Sequence, residues 1–178
     1  MTFPSQLLDP AAPAFLGGIV ATAMLGGWAT KLDHWYRTLA KPRWQPPDWV
    51  FPVVWTIVFA LTGIALLRAW PLLGGGWRPA LVAVAVANAV CNVGWSVLFF
   101  RLHRPELALW GCIPLLGTIA GLLMLCLHAD PVAALCLAPY LGWVAIATRL
   151  NADIVALNGP ADALVGLVAD SPRAAIGD

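Results

Sequence analysis

Charged residues are scarce in this chain. Asp, Glu, Lys and Arg make up only 11% of its 178 residues, whereas soluble domains carry roughly 25%. The net charge is +1, and there is neither a basic run nor a recognition motif, so the sequence gives no indication of nucleic-acid binding. Because 61% of the residues are hydrophobic and the mean hydropathy is +0.81, the composition predicts an integral membrane protein.

Motifs that mark common catalytic and metal sites are also missing. The sequence has no GxSxG, no P-loop, no GxGxxG followed by a helix and no HExxH. Its four cysteines lie singly in apolar runs, where we expect small buried residues. His34, His103 and His128 fall at segment ends rather than on one face, so no metal site is predicted, and only His34 remains as a conceivable haem ligand. These residues predict neither a catalytic constellation nor a required cofactor.

Five apolar segments are present, each near the roughly 20 residues that a helix needs to cross a bilayer. They predict an all-α membrane protein, a five-helix transmembrane bundle forming one domain over residues 13–158. Residues 1–12 are an N-terminal segment and 159–178 a C-terminal tail. Because most links are short, we expect sequential helices to be neighbours. The predicted helices cover residues 13–31, 50–70, 79–100, 105–128 and 131–157.

Basic residues in the links predict how the chain is oriented. Six of them fall on the side of the first loop, and two fall on the other side. The positive-inside rule therefore places the first loop and the C-terminus on the cytoplasmic side if the protein lies in an inner membrane. The six are Lys31, Arg37, Lys41, Arg43, Arg101 and Arg104, and the two are Arg68 and Arg78.

The first loop, residues 32–49, contains the sequence WYRTLAKPRWQPP at 35–47. Prolines break helical hydrogen bonding and the charges would have to be desolvated, so this stretch belongs at the membrane interface, where Trp and Tyr are enriched. We interpret it as a stiff lid over the bundle, and an aromatic belt with proline turns is the alternative. The predicted lid residues are Lys41, Pro42, Trp44, Pro46 and Pro47.

Polar and aromatic residues share a face on three predicted helices. At 100° per residue, the sets on the second and third helices each fall within a stripe about 60° wide, and the set on the fifth falls within about 80°. An unsatisfied amide is costly in hydrocarbon, so we expect the stripes to face the bundle interior. They favour either interhelical hydrogen bonds or a cavity for a flat, mostly apolar ligand. The stripes are Trp55, Phe59 and Thr62; Asn88, Asn92, Trp95 and Phe99; and Tyr140, Trp143, Ala147, Asn151 and Asn158.

Two further patterns concern packing. Small residues recur in the first helix at Gly18, Thr22 and Gly26 and in the GTIAG stretch of the fourth, which permits close helix approach within the chain or in a homodimer. Arg149 lies four residues before Asp153, so the two can pair. We interpret this pair as anchoring the end of the fifth helix, and a polar gate is the alternative.

Three stretches resemble the tryptophan-rich sensory protein and translocator protein family, also called the peripheral-type benzodiazepine receptor family. They are WYRTLAKPRWQPPDWVFPVVWTIVF, CNVGWSVLFF and APYLGWVAIATRLN. The resemblance implies a five-helix bundle, commonly dimeric, with a pocket beneath the first loop that binds porphyrins such as protoporphyrin IX and haem precursors. LNADIVALN lacks the Tyr and basic residue of the animal cholesterol motif, so a bacterial-type member is expected. The family's pocket residues fall on Trp35, Tyr36, Trp55, Asn88, Asn92, Trp95, Tyr140, Trp143 and Ala147, and the stripe adds Asn151.

The resemblance and the stripes together predict a porphyrin-binding membrane protein that acts as a sensor, scavenger or transporter. Light-dependent degradation of the bound porphyrin is an alternative, with Trp55 and Trp143 as the candidate reactive residues. A membrane scaffold or lipid-binding protein without a dedicated small-molecule site is the third hypothesis. The expected partners are a porphyrin or another flat apolar ligand, membrane lipid and a second copy of the chain.

Overall fold

The structure, a computed structural model, describes residues 9–159; residues 1–8 of the predicted N-terminal segment and 160–178 of the predicted tail lie outside the described residues. Five helices are long and apolar enough to cross a membrane, which confirms the predicted all-α membrane fold. The first loop also contains one short helix, His34–Thr38, which we call the loop helix. The five long helices are α1 (Ala12–Ala29), α2 (Val50–Ala69), α3 (Trp77–Ser96), α4 (Pro105–Ala129) and α5 (Pro131–Asn158).

Prolines and capping residues set several helix ends. Pro105 and Pro131 occupy the first positions of α4 and α5, where a missing N–H costs no helical hydrogen bond. The carboxylate of Asp130 caps α5 by accepting from the Val132 N–H at 3.0 Å. At the other end of α5, Gly159 has φ of +73°, a conformation that glycine adopts readily.

The end of α3 departs from a regular α-helix. Residues Val97–Arg101 continue the helix as a π-helical turn, in which the Leu102 N–H donates to the Val97 carbonyl at 2.9 Å. A π turn holds more residues per turn than an α turn, so each residue advances less around the axis. Side chains after Ser96 therefore point away from the directions that a 100° period predicts.

The helices pack in the ring order α1, α2, α5, α4, α3. Sequential helices are neighbours for α1–α2, α3–α4 and α4–α5, but the expectation is wrong for α2 and α3, which do not form one of the principal helix pairs. The link between them, containing the 3₁₀ turn Trp70–Leu72 and three glycines, crosses one end of the bundle. Because α1 packs against both α2 and α3, their separation leaves interior space between the three helices.

Glycines mark the closest helix contacts. A Cβ at Gly63 would lie 3.2 Å from Ile19 Cδ1, and a Cβ at Gly121 would lie 3.2 Å from Val84 Cγ1, so these positions bring α2 to α1 and α4 to α3. By contrast, a Cβ at Gly18 or Gly117 would meet nothing within 4 Å. Of the predicted small-residue positions, Gly121 thus serves packing within the chain, whereas Gly18 and Gly117 face open space.

Asp130 joins two helices at the end of the bundle remote from the first loop. Besides capping α5, its carboxylate pairs with Arg68 of α2, with Arg68 Nη2 and Asp130 Oδ2 separated by 2.6 Å. Both side chains are more than two-thirds buried, so the pair is better shielded from water than a surface ion pair. Capping and ion pairing thus depend on one side chain.

We expect Asp130→Asn to keep the cap and lose the charge, and Asp130→Ala to lose both. The unfolding temperature in detergent should fall in the order wild type, Asn variant, Ala variant, because an N-cap contributes about 1 kcal/mol. Labelling of the buried thiols of Cys112 and Cys126 by a thiol-reactive dye during heating measures this. Equal unfolding temperatures for the two variants would show that the cap contributes nothing.

Candidate ligand-binding site

A cavity of about 450 Å³ lies beneath the first loop, between α1, α2, α3 and α5. We call it the lid cavity. The cavity opens sideways between α1 and α2, because four of its lining residues there are also exposed. They are Gly27 on α1, Thr30 just after α1, and Pro52 and Thr56 on α2. Its volume is in the range of small-molecule sites, which is roughly 300–1,000 Å³. The aromatic lining consists of Tyr36, Phe51, Trp55, Phe59, Trp95, Phe100 and Trp143.

The structure brings six of the ten predicted ligand-binding residues together in this lining. They belong to the loop helix and to α2, α3 and α5, which the ring order places around one space. The six are Tyr36, Trp55, Asn92, Trp95, Trp143 and Ala147.

Four predicted residues do not line the lid cavity. The Trp35 ring stacks on His103 at 4.3 Å between centroids and so packs on the end of α3. Asn151 is buried against α4, where its amide donates to the Pro105 carbonyl at 2.7 Å. Asn88 and Tyr140 line a second cavity, farther from the loop. Residues at one angle form a stripe along the whole helix, but different parts of that stripe face different neighbouring helices. Residues that share a stripe therefore need not line the same cavity.

The π turn explains a residue that sequence analysis missed. Phe99, predicted on the stripe of α3, packs edge-on against Trp35 with the ring centroids 5.9 Å apart. Phe100 lines the lid cavity instead. Phe51 was also missed, although its position in the VFP stretch directly after the loop indicated that it would lie near the lid.

A chain of hydrogen bonds crosses the bundle at the inner end of the lid cavity. Asn92 Nδ2 donates to the Tyr140 hydroxyl at 2.9 Å, which donates to Asn88 Oδ1 at 3.1 Å. Asn88 Nδ2 in turn donates to Thr118 Oγ1 at 3.1 Å. We call this set the amide–tyrosine chain. It gives the amides of Asn88 and Asn92 on α3 hydrogen-bond partners on α5 and α4. Of the two interpretations of the stripes, interhelical hydrogen bonds and a cavity, both are therefore present.

Trp95 and Trp143 line the lid cavity with their rings, whereas their indole nitrogen atoms are buried behind the lining. Trp143 as a whole is 8% exposed, and the indole nitrogen of Trp95 faces the thiol of Cys112 on α4. The two residues therefore present aromatic surface to the cavity, which suits a flat ligand.

The loop is tied to the end of α5. Trp44 Nε1 donates to Asp153 Oδ2 at 2.9 Å, and the Asn158 amide bonds both the N–H and the carbonyl of Ala40, at 2.9 and 2.8 Å. Asp153 also pairs with Arg149, the distance from Nε to Oδ1 being 3.0 Å. The predicted Arg149–Asp153 pair therefore supports the carboxylate that holds the loop.

Within the loop, Tyr36 closes the cavity. Its hydroxyl donates to Asp48 at 3.3 Å, and Lys41 Nζ donates to the Tyr36 carbonyl at 2.7 Å while lying 4.1 Å from the ring centroid. Burial, and then the negative charge of Asp48, raise the pKa of Tyr36 to about 12, so the phenol stays a neutral donor. None of the predicted lid residues Lys41, Pro42, Trp44, Pro46 and Pro47 lines the cavity; Lys41 and Trp44 hold the loop in place.

Asp33 fixes the start of the loop helix. Its Oδ1 accepts from the Tyr36 N–H at 3.1 Å, and its Oδ2 lies 3.2 Å from His103 Nε2. The hydrogen bond from the Tyr36 N–H, followed by the contacts with His103, lowers the pKa of Asp33 below its ordinary value. Asp33 therefore remains a carboxylate and orients Tyr36 over the cavity. Residues 9–159 hold no group of three or more His, Cys, Asp or Glu that could bind a metal ion.

Comparisons with known proteins agree with the arrangement. A profile described as the TspO/MBR family matches residues 14–157. Tryptophan-rich protein TspO of Chlorobaculum tepidum is 40% identical over 149 residues, which cover 80% of this chain and 92% of that protein. Tryptophan-rich sensory protein of Cereibacter sphaeroides is 35% identical over 144 residues, covering 81% and 89%. Translocator protein of Sus scrofa is 31% identical over 150 residues, covering 79% and 89%.

We expect Trp44→Phe to loosen the loop, because it keeps the ring and removes the N–H that bonds Asp153. Loss of one hydrogen bond costs about 0.5–1.5 kcal/mol, so amide hydrogen exchange in residues 35–47 should accelerate about twofold to tenfold. Trp49→Phe is the matched control, because Trp49 is 68% exposed at the end of the same loop. Equal acceleration in both variants would contradict the anchoring role of Trp44.

Proposed function

This chain belongs to the TspO/MBR family of multi-pass membrane proteins, and from that membership we propose that it binds a tetrapyrrole in the lid cavity. The ligand class is a porphyrin, such as protoporphyrin IX or another haem precursor. In this proposal the protein acts as a sensor, scavenger or transporter of that ligand.

The observation that carries the proposal is the cluster of indole side chains in one lidded cavity. Trp55, Trp95 and Trp143 all line it, and flat aromatic rings favour stacked or edge-on contact with a planar ligand. The same lining contains a few polar groups, among them Tyr36 and Asn92. A porphyrin combines a large flat ring with polar groups at its edge.

The position of the opening supports an apolar ligand. The lid cavity is open between α1 and the start of α2, next to the loop. A molecule dissolved in the outer part of the bilayer would reach it without crossing water, and the loop's basic residues Lys31, Arg37 and Arg43 lie at the same end for carboxylate side chains. Both properties suit an amphipathic porphyrin.

Sidedness and assembly are part of the proposal. The excess of basic residues at the loop end places the loop and the end of α5 in the cytoplasm if the membrane is an inner membrane. Exposed small residues on α4, Gly117 and Ala120 among them, provide a surface on which a second copy can pack closely. A homodimer is the assembly that we propose.

We expect Trp143→Phe and Trp95→Phe each to weaken protoporphyrin IX binding about threefold to tenfold, because each removes aromatic surface whose contact with a planar ring contributes about 0.5–1.5 kcal/mol. Quenching of tryptophan fluorescence in detergent, in the dark, measures the affinity. Trp110→Phe is the control, since Trp110 is 70% exposed on α4. Non-saturable quenching, or an equal effect of Trp110→Phe, would contradict binding in the lid cavity.

A second function, light-dependent degradation of the bound porphyrin, is favoured by the position of two indoles. Trp55 and Trp143 both line the lid cavity, and Trp55 stacks on Phe59 with centroids 5.4 Å apart. An electron passing from an indole to the photoexcited ring would leave an indole radical cation and a porphyrin radical anion, with dioxygen as the oxidant that continues the reaction.

If this chemistry occurs, loss of the porphyrin absorbance should require light and should slow in the Trp55→Phe, Trp143→Phe double variant. The comparison is made at saturating porphyrin, so that weaker binding does not account for the slower rate. Trp110→Phe should react at the wild-type rate. Product formed in the dark, or at the wild-type rate in the double variant, would remove the claim.

A further inference from the structure

A second cavity, of about 380 Å³, lies on the other side of the amide–tyrosine chain from the lid cavity. Helices α1, α2 and α3 supply most of its wall, and we call it the α1 cavity. Asn88 and Tyr140 form its boundary toward the lid cavity, and Phe59 contributes to both cavities. It occupies the space that opens because α2 and α3 do not pack together.

The polar groups of the α1 cavity already have partners. The hydroxyls of Thr22 and Thr62 donate to the carbonyls of Gly18 and Val58, each at 2.8 Å. The amide of Asn88 is engaged at both ends, by Tyr140 and Thr118. These hydroxyl and amide groups therefore require no hydrogen bond from an occupant of this cavity. A hydrocarbon chain therefore fits its chemistry.

The α1 cavity opens sideways between α1 and α3. Ala14 and Gly18 on α1 and Val82 and Val86 on α3 line it and are exposed. A Cβ at Gly18 would meet no atom within 4 Å, so no side chain closes the gap there. These residues lie within membrane-spanning helices, so the opening faces the acyl chains of the bilayer.

A cation lies beside the outer end of the cavity. Trp70 lines the cavity, and the Arg78 guanidinium lies 4.9 Å from its ring centroid while Nε donates to the Trp70 carbonyl at 3.2 Å. Arg78 has no carboxylate partner within the described part of the chain, whereas Arg68 at the same end is paired with Asp130. Arg78 follows Trp77 in the first turn of the membrane-spanning helix α3, and Trp and basic residues at the end of a spanning helix are typical of the membrane interface.

We propose that the α1 cavity binds a single-chain anionic lipid, a long-chain fatty acid, with its chain between α1, α2 and α3 and its carboxylate at Arg78. This site is separate from the tetrapyrrole site, and the proposal does not depend on the proposed function. The lipid would enter from the bilayer through the gap at Gly18.

The affinity of the α1 cavity for a lipid chain is set by the difference between the cavity and the surrounding bilayer. A chain in the bilayer is already out of water, so the hydrophobic effect contributes little to its transfer into the cavity. What the chain adds is contact with wall atoms that otherwise face empty space. Selection among lipids therefore depends on the fit of one chain and on the charge at Arg78.

The test is photo-crosslinking of full-length protein in phosphatidylcholine nanodiscs with palmitic acid that carries a diazirine in mid-chain. Peptide mapping should show saturable labelling of the α1 and α3 walls, which unlabelled palmitate displaces. Gly18→Leu should reduce the labelling about tenfold by overfilling the cavity. Gly17→Leu is the matched control, because a Cβ there also meets nothing within 4 Å but Gly17 does not line the cavity.

The head group is tested separately. Arg78→Gln should weaken labelling by the fatty acid about fivefold, the effect of one basic residue at a membrane surface, and Arg78→Lys should restore it. An uncharged diazirine analogue of hexadecanol should be insensitive to both changes. The unfolding temperature of each variant in detergent should remain at the wild-type level, which shows that each variant is folded. Dark quenching by protoporphyrin IX, measured in the same variants, reports on the lid cavity alone and keeps failure of that proposal distinguishable.

Three results would overturn the proposal. Equal labelling of Gly17→Leu and Gly18→Leu would show that the cavity is not the site. Labelling that spreads over all lipid-facing helices, including the surface around Trp110, would indicate ordinary contact with bulk lipid. Absence of saturable wild-type labelling would show that the cavity takes up no fatty acid.

Discussion

Satisfaction of polar groups away from water is the constraint on which this structure depends. A bilayer supplies no hydrogen-bond partners, so the amides of Asn88 and Asn92 must find them inside the bundle. The Asn92 amide donates to the Tyr140 hydroxyl, and that hydroxyl donates to the amide oxygen of Asn88. Because these residues lie on α3 and α5, which are not adjacent in the ring, the bonds cross the interior and hold two distant helices in a fixed relation.

That crossing chain also divides the space that the helix order creates. Since α2 and α3 do not pack directly, the interior beside α1 remains partly open, and the amide–tyrosine chain together with Phe59 separates it into two cavities. The division is chemical as well as spatial. The lid cavity is lined by seven aromatic residues, whereas most of the residues lining the α1 cavity are small or aliphatic and its threonine hydroxyls are already bonded. The two cavities therefore differ in the chemistry of their walls.

The first loop contributes three residues to the lining of the lid cavity, Leu32, Tyr36 and Asp48, and its other contacts fix their position. Its prolines and its bonds to α5 through Trp44 and Ala40 hold the backbone, so that Tyr36 alone of the loop helix faces the cavity. Each of these bonds joins the loop to the last two turns of α5. Movement of that end of α5 would therefore be transmitted to the cavity's cover.

The sequence by itself determined the membrane class, the number of spanning helices and the loop's interfacial character, because hydropathy, length and proline content act locally along the chain. It also determined that Trp55, Asn92 and Trp143 face inward, since an amide or a clustered indole stripe is unfavourable toward lipid. Only the tertiary structure decided which cavity or neighbouring helix each of these side chains contacts. Asn151 reaches α4, Trp35 packs on His103, and Phe100 replaces Phe99 after the π turn. Periodicity gives the angle of a side chain on an ideal helix, but the neighbour at that angle is set by the ring order and by local departures from 3.6 residues per turn.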